Sequence, residues 1–292
     1  MKITKVETIR SADRAYCWIL LYTDTGHIGI GETYHRADPA EQVVHEFARN
    51  ILLGCDPENI EKIWDRMYKS ASFHGLMGAE LRAMSGIDMA LWDLLGKALD
   101  VPLYRLLGGR TRERIPIYFS GIYDDIPVEK GPLQDWSKQC VDEGWNACKT
   151  ARFFGDFYGD TAGYISGTDV AMGARRFEWV RQAVGDALEV ALDLHCAFDV
   201  PSAIRIGRAV KPFDPYFVEE PIQPHNPAAL REVRQSADVP IAAGERIFSR
   251  WGFREILDLN AADVLNPDLA WPGGISEVKK IATCAQVHYV PV

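Results

Sequence analysis

The chain has 292 residues, 47% of them hydrophobic and 25% charged, a composition of globular proteins that fits one large domain or two ordinary ones. Its net charge of −9, with no basic cluster, argues against nucleic acid and anionic membranes as partners. No apolar run nears the ~18 residues of a membrane span, MKITKVETIR lacks the apolar core of a signal peptide, and six scattered cysteines without a CxxC pair read as reduced thiols of a cytoplasmic protein.

The first residues predict antiparallel β structure. Strands are expected over 2–9 and 16–23, with a hairpin turn at Asp24-Thr25-Gly26-His27 and a third strand from Ile28. Asp56-Pro57 reads as an N-cap followed by the first helical position, with Ile60, Ile63, Trp64 and Met67 at helical spacing behind it. Another helix is predicted over 79–99, with Ile87, Leu91, Leu94 and Ala98 on one stripe. Gly108-Gly109 closes this block.

After residue 113 short apolar strands alternate with helices. Strands are predicted over 115–119, 146–151, 189–195, 215–220, 239–244, 262–266 and 287–292. Helices are predicted over 132–143, 175–185, 201–209, 227–236, 250–258 and 275–286. That alternation implies an α/β architecture with a parallel sheet, and both a barrel and an open doubly wound sheet fit it. Acidic or polar residues end strand after strand, which favours a TIM-type barrel, where chemistry collects at strand C-termini. No glycine-rich phosphate loop follows a strand, so a nucleotide fold is disfavoured.

Asp193, Glu219 and Glu245 each end an apolar strand, and both steps between them are 26 residues. One strand–helix unit per step sets the three carboxylates at one height on adjacent strands. Unpaired, they would repel; a hard divalent cation removes that cost, and oxygen ligands suit Mg²⁺. The alternative is three separate carboxylates, each paired to a nearby Lys or Arg. In a strand, His195 shares a face with Asp193, which puts an imidazole beside the metal. Cys196 then points to the opposite face, and Glu220 points away from Glu219 as a structural ion-pair partner. Asp268, in Asn266-Pro267-Asp268, reads equally as a turn cap or a functional acid, and an isolated Lys149 reads as a solvated side chain. His27, His45 and His288 look like surface or packing residues, while His35, His74 and His225 stay unassigned.

These residues, taken in order, resemble the enolase superfamily, in its mandelate racemase-like subgroup of acid-sugar (galactonate-type) dehydratases. The resemblance spans Ser85-Gly-Ile-Asp-Met-Ala-Leu-Trp-Asp93 with Gly96-Lys97, Leu106-Leu-Gly-Gly109, Lys149, Asp193-Leu-His195, Glu219-Glu-Pro221, Gly244-Glu245-Arg246, and Asn266-Pro-Asp268 with Gly273-Gly-Ile275. It implies an N-terminal α+β capping domain, 1–112, and a modified (β/α)7β barrel, 113–292. It implies Mg²⁺ on Asp193, Glu219 and Glu245, a sugar-acid substrate, a homo-oligomer, and abstraction of the proton α to a carboxylate. Lys149, His195 and Asp268 fall at catalytic positions; His195 matches the acid that helps a β-hydroxide leave.

Departures narrow the reading. Lactonising and dipeptide-epimerising relatives carry a Lys where this chain has Asp268. Mandelate-type racemases carry Lys-x-Lys where it has Lys149-Thr150-Ala151, which favours one-base chemistry. The segment 153–172, rich in Gly, Tyr and Phe, is expected to be a long loop, with two readings open: closure over a polyol chain, or a loop that is simply mobile. The family's general base, a His oriented by the residue matching Asp268, would fall about three residues beyond Val292 by the family spacing. The expectation is therefore a dehydratase truncated at its C-terminus and impaired. The alternatives are a non-catalytic member that binds metal or sugar acids, and a racemase or epimerase of a 2-hydroxy acid.

Overall fold

A computed structural model describes residues 1–13, 15–35, 37–121, 126–154 and 163–292. These form two compact units. One comprises Met1–Glu113, Glu245–Arg254 and Pro267–Val287; the other comprises Arg114–Gly244, Glu255–Asn266 and His288–Val292.

The first unit opens with β1 (Ile3–Arg10), β2 (Tyr16–Thr23) and β3 (Ile28–Tyr34), an antiparallel sheet in that order. In β2, Cys17, Ile19, Leu21 and Thr23 are buried and their neighbours are not, the period-2 alternation of a sheet with one packed face. Gly26 closes the hairpin between β2 and β3 at φ +84°, a backbone conformation that suits glycine. Then come α1 (Asp38–Phe47), α2 (Ile60–Ala71), α3 (Ala79–Leu99) and the short α4 (Leu103–Leu106). Ile19 and Leu21 of the sheet, Ile63 and Met67 of α2, and Met84, Ile87 and Leu91 of α3 share one core.

The expected cap at Asp56-Pro57 is corrected. Asp56 Oδ1 accepts from the Glu58 amide at 3.1 Å, so this pair makes a turn of its own, and α2 begins after Asn59.

The second unit carries β4 (Phe119–Gly121), β5 (Ala147–Thr150), β6 (Glu189–Asp193), β7 (Val218–Glu219), β8 (Ile241–Ala243) and β9 (Val264–Leu265). All neighbours are parallel, in the order β4-β5-β6-β7-β8-β9. A doubly wound sheet reverses its order at a switch point; this one does not, as in the wall of a (β/α) barrel. The intervening helices are α5 (Lys130–Asp142), α6 (Gly167–Val184), α7 (Val200–Val210), α8 (Pro227–Ala237) and α9 (Ser249–Asp258). Ser166, Asp199 and Asn226 cap α6, α7 and α8 by accepting from the amides of Asp169, Ser202 and Ala229. The last helix, α10 (Gly274–Val287), packs against α3 in the first unit.

Three expectations change here. Ile115 and Ile117 are 76% and 70% exposed, so the apolar run 115–119 contributes only its end to a strand. Helix α6 starts at Gly167 rather than 175, because Ser166 caps a first turn whose Gly and Thr are weak helix formers. This puts 167–172 in a helix rather than in the expected loop, while 155–162 lie outside the described residues. The strand expected over 287–292 is absent. Ile281 and Ala285, one turn apart and fully buried, keep the chain helical to Val287. Beyond Tyr289 (φ +57°), the Pro291 carbonyl accepts from Leu265 of β9 at 3.0 Å.

Candidate metal and active site

Asp193 and Glu219 are the last residues of β6 and β7 and stand opposite each other in register. Glu245 follows β8 by two residues. Between them is Gly244, where a Cβ would lie 2.5–2.7 Å from the Asn266 backbone, so only glycine lets β8 run so close to the end of β9. One oxygen from each of the three carboxylates lies within 4.8 Å of the other two. The equal spacing in sequence therefore does bring the three together. A cluster of hard oxygen donors at this separation fits a divalent cation such as Mg²⁺.

Lys149 is not solvated. Its side chain is 8% exposed, and Nζ lies 2.8 Å from Asp193 Oδ2 and 2.6 Å from Glu219 Oε2. The sequence hides this because its partners lie 44 and 70 residues away. Burial works against the Lys149 charge, but Glu219 and Asp193 outweigh it and push the ammonium above its ordinary value. At Glu219 burial pushes the carboxyl up and Lys149 pulls it down. We take Lys149 as the charged member, since two carboxylates share its one proton donor group. Arg246 pairs with Glu245. The pairing alternative is thus partly realised, but within one cluster rather than at three separate sites.

His195 reaches the site by a different route from the one expected. The strand ends at Asp193, and His195 and Cys196 both adopt left-handed backbone, at φ +46° and +59°. The strand rule for i and i+2 therefore does not apply. Instead the His195 amide donates to Asp193 Oδ1 at 3.0 Å, and its Nε2 lies 3.3 Å from Asp193 Oδ2. Glu220 follows Glu219 at φ +43°, and Cys196 Sγ donates to its Oε2 at 3.3 Å. Left-handed non-glycine residues cost energy and gather where a site must be shaped.

Asp268 does cap a turn, one of its two readings. Its Oδ1 caps the following turn by accepting from the Ala270 amide at 2.8 Å, and its Oδ2 accepts from the Tyr34 hydroxyl. Tyr34 is a residue that sequence reasoning passed over; only its position at the end of β3, one residue before the flagged His35, points to it. His35 sits at φ +61°, with its carbonyl accepting from Arg82. His74 and His225 are exposed on turns. His27 and His45 bond to Thr25 and Thr8, and His288 lies 4.0 Å from Asp258, as surface or packing residues do. Among the described residues no helix is long and apolar enough to cross a membrane.

A parallel α/β sheet that gathers carboxylates at successive strand ends, with an antiparallel sheet and helices in a second unit, defines a class of enzyme folds that place their chemistry at strand C-termini. The chain belongs to the enolase superfamily: the family model "Enolase C-terminal domain-like" matches residues 133–292, and "Mandelate racemase / muconate lactonizing enzyme, N-terminal domain" matches 4–108. It is 37% identical over 299 aligned residues to a D-galactonate dehydratase of Variovorax paradoxus, covering 99% of this chain and 73% of that one. It is 32% identical to a D-xylonate dehydratase of Haloferax volcanii, covering 100% and 71%. Among solved structures, an enolase-superfamily member from Salmonella Typhimurium superposes with a TM-score of 0.93 at 34% identity, covering 99% and 79%. A mandelate racemase/muconate lactonizing enzyme-like protein from Rubrobacter xylanophilus gives 0.89 at 36% identity, covering 99% and 78%. Dehydratases of this kind are carbon–oxygen lyases, and the superfamily is catalytic.

Proposed function

We propose that this protein is a Mg²⁺-dependent acid-sugar dehydratase. The observation that carries the reading is the cluster of Asp193, Glu219 and Glu245, with Lys149 and His195 held against it. When bound, the cation supplies Lewis-acid stabilisation of the negative charge that develops on the substrate carboxylate. The three carboxylates would hold it. Lys149, anchored at two points, keeps Asp193 and Glu219 turned toward one centre and adds fixed positive charge.

The reaction breaks the C2–H bond and the C3–O bond. The C2 electron pair becomes the C2–C3 double bond, and the C3 oxygen leaves as water with a proton from His195. Tautomerisation then gives the 2-keto-3-deoxy acid. Asp268 is assigned the orienting of the base that takes the C2 proton. Racemisation instead would need a base on each face of C2, and the single Lys149 is committed to two carboxylates.

The test uses protein expressed from its full reading frame. It is titrated with MgCl₂ by calorimetry, then offered a panel of aldonates and aldarates, with 2-keto-3-deoxy acids read by semicarbazide absorbance. Metal binding together with such a product is expected. Epimerisation of a 2-hydroxy acid without loss of water, or metal binding with no turnover across the panel, overturns the assignment.

A further inference from the structure

Behind Asp268 stands a largely half-buried group of residues for which the reaction described above has no use. Tyr34, the last residue of β3, donates its hydroxyl to Asp268 Oδ2. With the Ala270 amide on Oδ1, each oxygen of the Asp268 carboxylate has its own donor. The carboxylate plane is therefore fixed.

The phenol is fixed in turn. Its ring stacks on Tyr16 at 5.9 Å and meets the edge of Trp271 at 6.3 Å, while Phe248 backs Trp271 at 5.7 Å. Behind both rings lies Arg82, 9% exposed. Its Nη2 donates to the carbonyls of Tyr34 and His35, the latter at 2.7 Å, and its Cζ lies 4.8 Å over the Trp271 ring. Its Nε is buried with no hydrogen-bond partner, and among the described residues no carboxylate is within ion-pair reach. A buried guanidinium is costly to desolvate and is ordinarily paired. Here its hydrogen bonds go to the turn that carries Tyr34, where His35 takes a left-handed φ of +61°. The charged groups around this cluster are Arg82, Asp268 and Glu245.

We propose that Tyr34 is a positioning residue for Asp268, held in place by Arg82 and Trp271, and that it fixes the carboxylate in the orientation the proton-abstraction step needs. The proposal rests on the dehydratase reading, in which Asp268 orients the base. Tyr34 acts by denying Asp268 rotation.

Tyr34→Phe removes one oxygen and keeps the ring contacts, so it separates positioning from packing. It is made in protein from the full reading frame, alone and with Asp268→Asn, and assayed with Mg²⁺ on the best substrate of the panel. A tie that served only the fold would lower the melting temperature and leave the kinetics alone. Positioning predicts a kcat about tenfold lower or worse, the loss that one good hydrogen bond confers, with KM within about twofold. Tyr34→Phe should add little on top of Asp268→Asn, and Arg82→Lys, which keeps the charge but loses the fork, should mimic Tyr34→Phe. Wild-type turnover with kcat and KM unchanged in Tyr34→Phe, or losses that multiply with those of Asp268→Asn, overturns the proposal and leaves the dehydratase reading standing. No wild-type dehydration overturns both.

Discussion

The Lys149 ammonium is the counter-charge for two carboxylates that are 1% and 2% exposed, so its removal leaves like charges facing each other out of water. Breaking a buried ion pair from one side costs about 3–5 kcal/mol. Lys149→Met is therefore expected to lower stability by that order in EDTA. Mg²⁺ should recover much of the loss, and should stabilise the variant more than the wild type. Urea unfolding in EDTA and in MgCl₂ checks this; equal midpoints for the two proteins in EDTA would refute it. A second residue acts through pH. Asp88, on α3, accepts from the Ser276 amide at 2.9 Å and its hydroxyl at 2.6 Å. Burial pushes this carboxyl up to about 7, against the pull of both Ser276 bonds. The fold thus holds its proton more tightly than the unfolded chain does, so this contribution is complete below about pH 4 and is lost as pH rises to about 7. The swing is at most about 4 kcal/mol at 1.36 kcal/mol per unit. Asp88→Asn keeps an acceptor for Ser276 and removes the proton. Its denaturation midpoint should be flatter than the wild type's between pH 4 and 7.

At the scale of elements, the tightest constraint is the seat of β3 on α3. A Cβ on Gly31 would lie 1.9 Å from the Gly86 carbonyl oxygen, and one on Gly29 would lie 2.2 Å from that of Ala90. Backbone cannot yield as a flexible side chain can, so Gly31→Ala must part the strand from the helix. The expected cost is at or above the upper end of the ~1–3 kcal/mol usual for overpacking, read as a lower thermal midpoint. Ala at Gly54, where nothing lies within 4 Å, serves as the steric control, carrying only the strain of its φ of +79°. Helix α3 itself is legible in the sequence from end to end, since its apolar stripe is long and periodic. Strand β7 is a different case, because its hydrogen-bonded core is only Val218–Glu219. There the apolar run marks the place but not the length. The carboxylates of the site are legible because each ends such a run at equal spacing. Lys149 and Tyr34 are not legible, since what gives them meaning is a partner 44 to 234 residues away. His195 falls between the two cases. Its neighbour announces it, but a left-handed turn rather than strand alternation delivers it.

The whole molecule is two units whose chain segments interleave, and this sets what each can do alone. The first unit is completed by residues that follow most of the second in sequence. Helix α10 packs on α3, and the Trp92 indole donates to Ser276 Oγ at 2.8 Å. The Trp64 indole donates to the Gly273 carbonyl at 2.8 Å, and the Gly273 amide donates to Ser85 Oγ at 2.9 Å. On Glu277, which is fully buried, Arg250 converges with an ion pair at 2.6 Å, while stacking over Trp64 and Trp251. A fragment ending at Glu113 would keep the three strands and α1–α4 but lose every one of these partners. Asp88 and two indole N–H groups would then lose their partners, at about 1–3 kcal/mol for each unsatisfied group that stays buried. That sum rivals the ~5–15 kcal/mol total stability of an ordinary domain. The fragment 1–113 is therefore expected to show helical circular dichroism with a broad, weakly cooperative urea transition and bound hydrophobic dye, whereas the whole chain unfolds sharply. Supplying residues 267–287 through a flexible linker restores α10 and its Ser276 and Gly273 contacts, and should sharpen the transition. If 1–113 alone unfolds as cooperatively as the parent, the later segments rest on a finished domain and the interleaving carries no energetic weight.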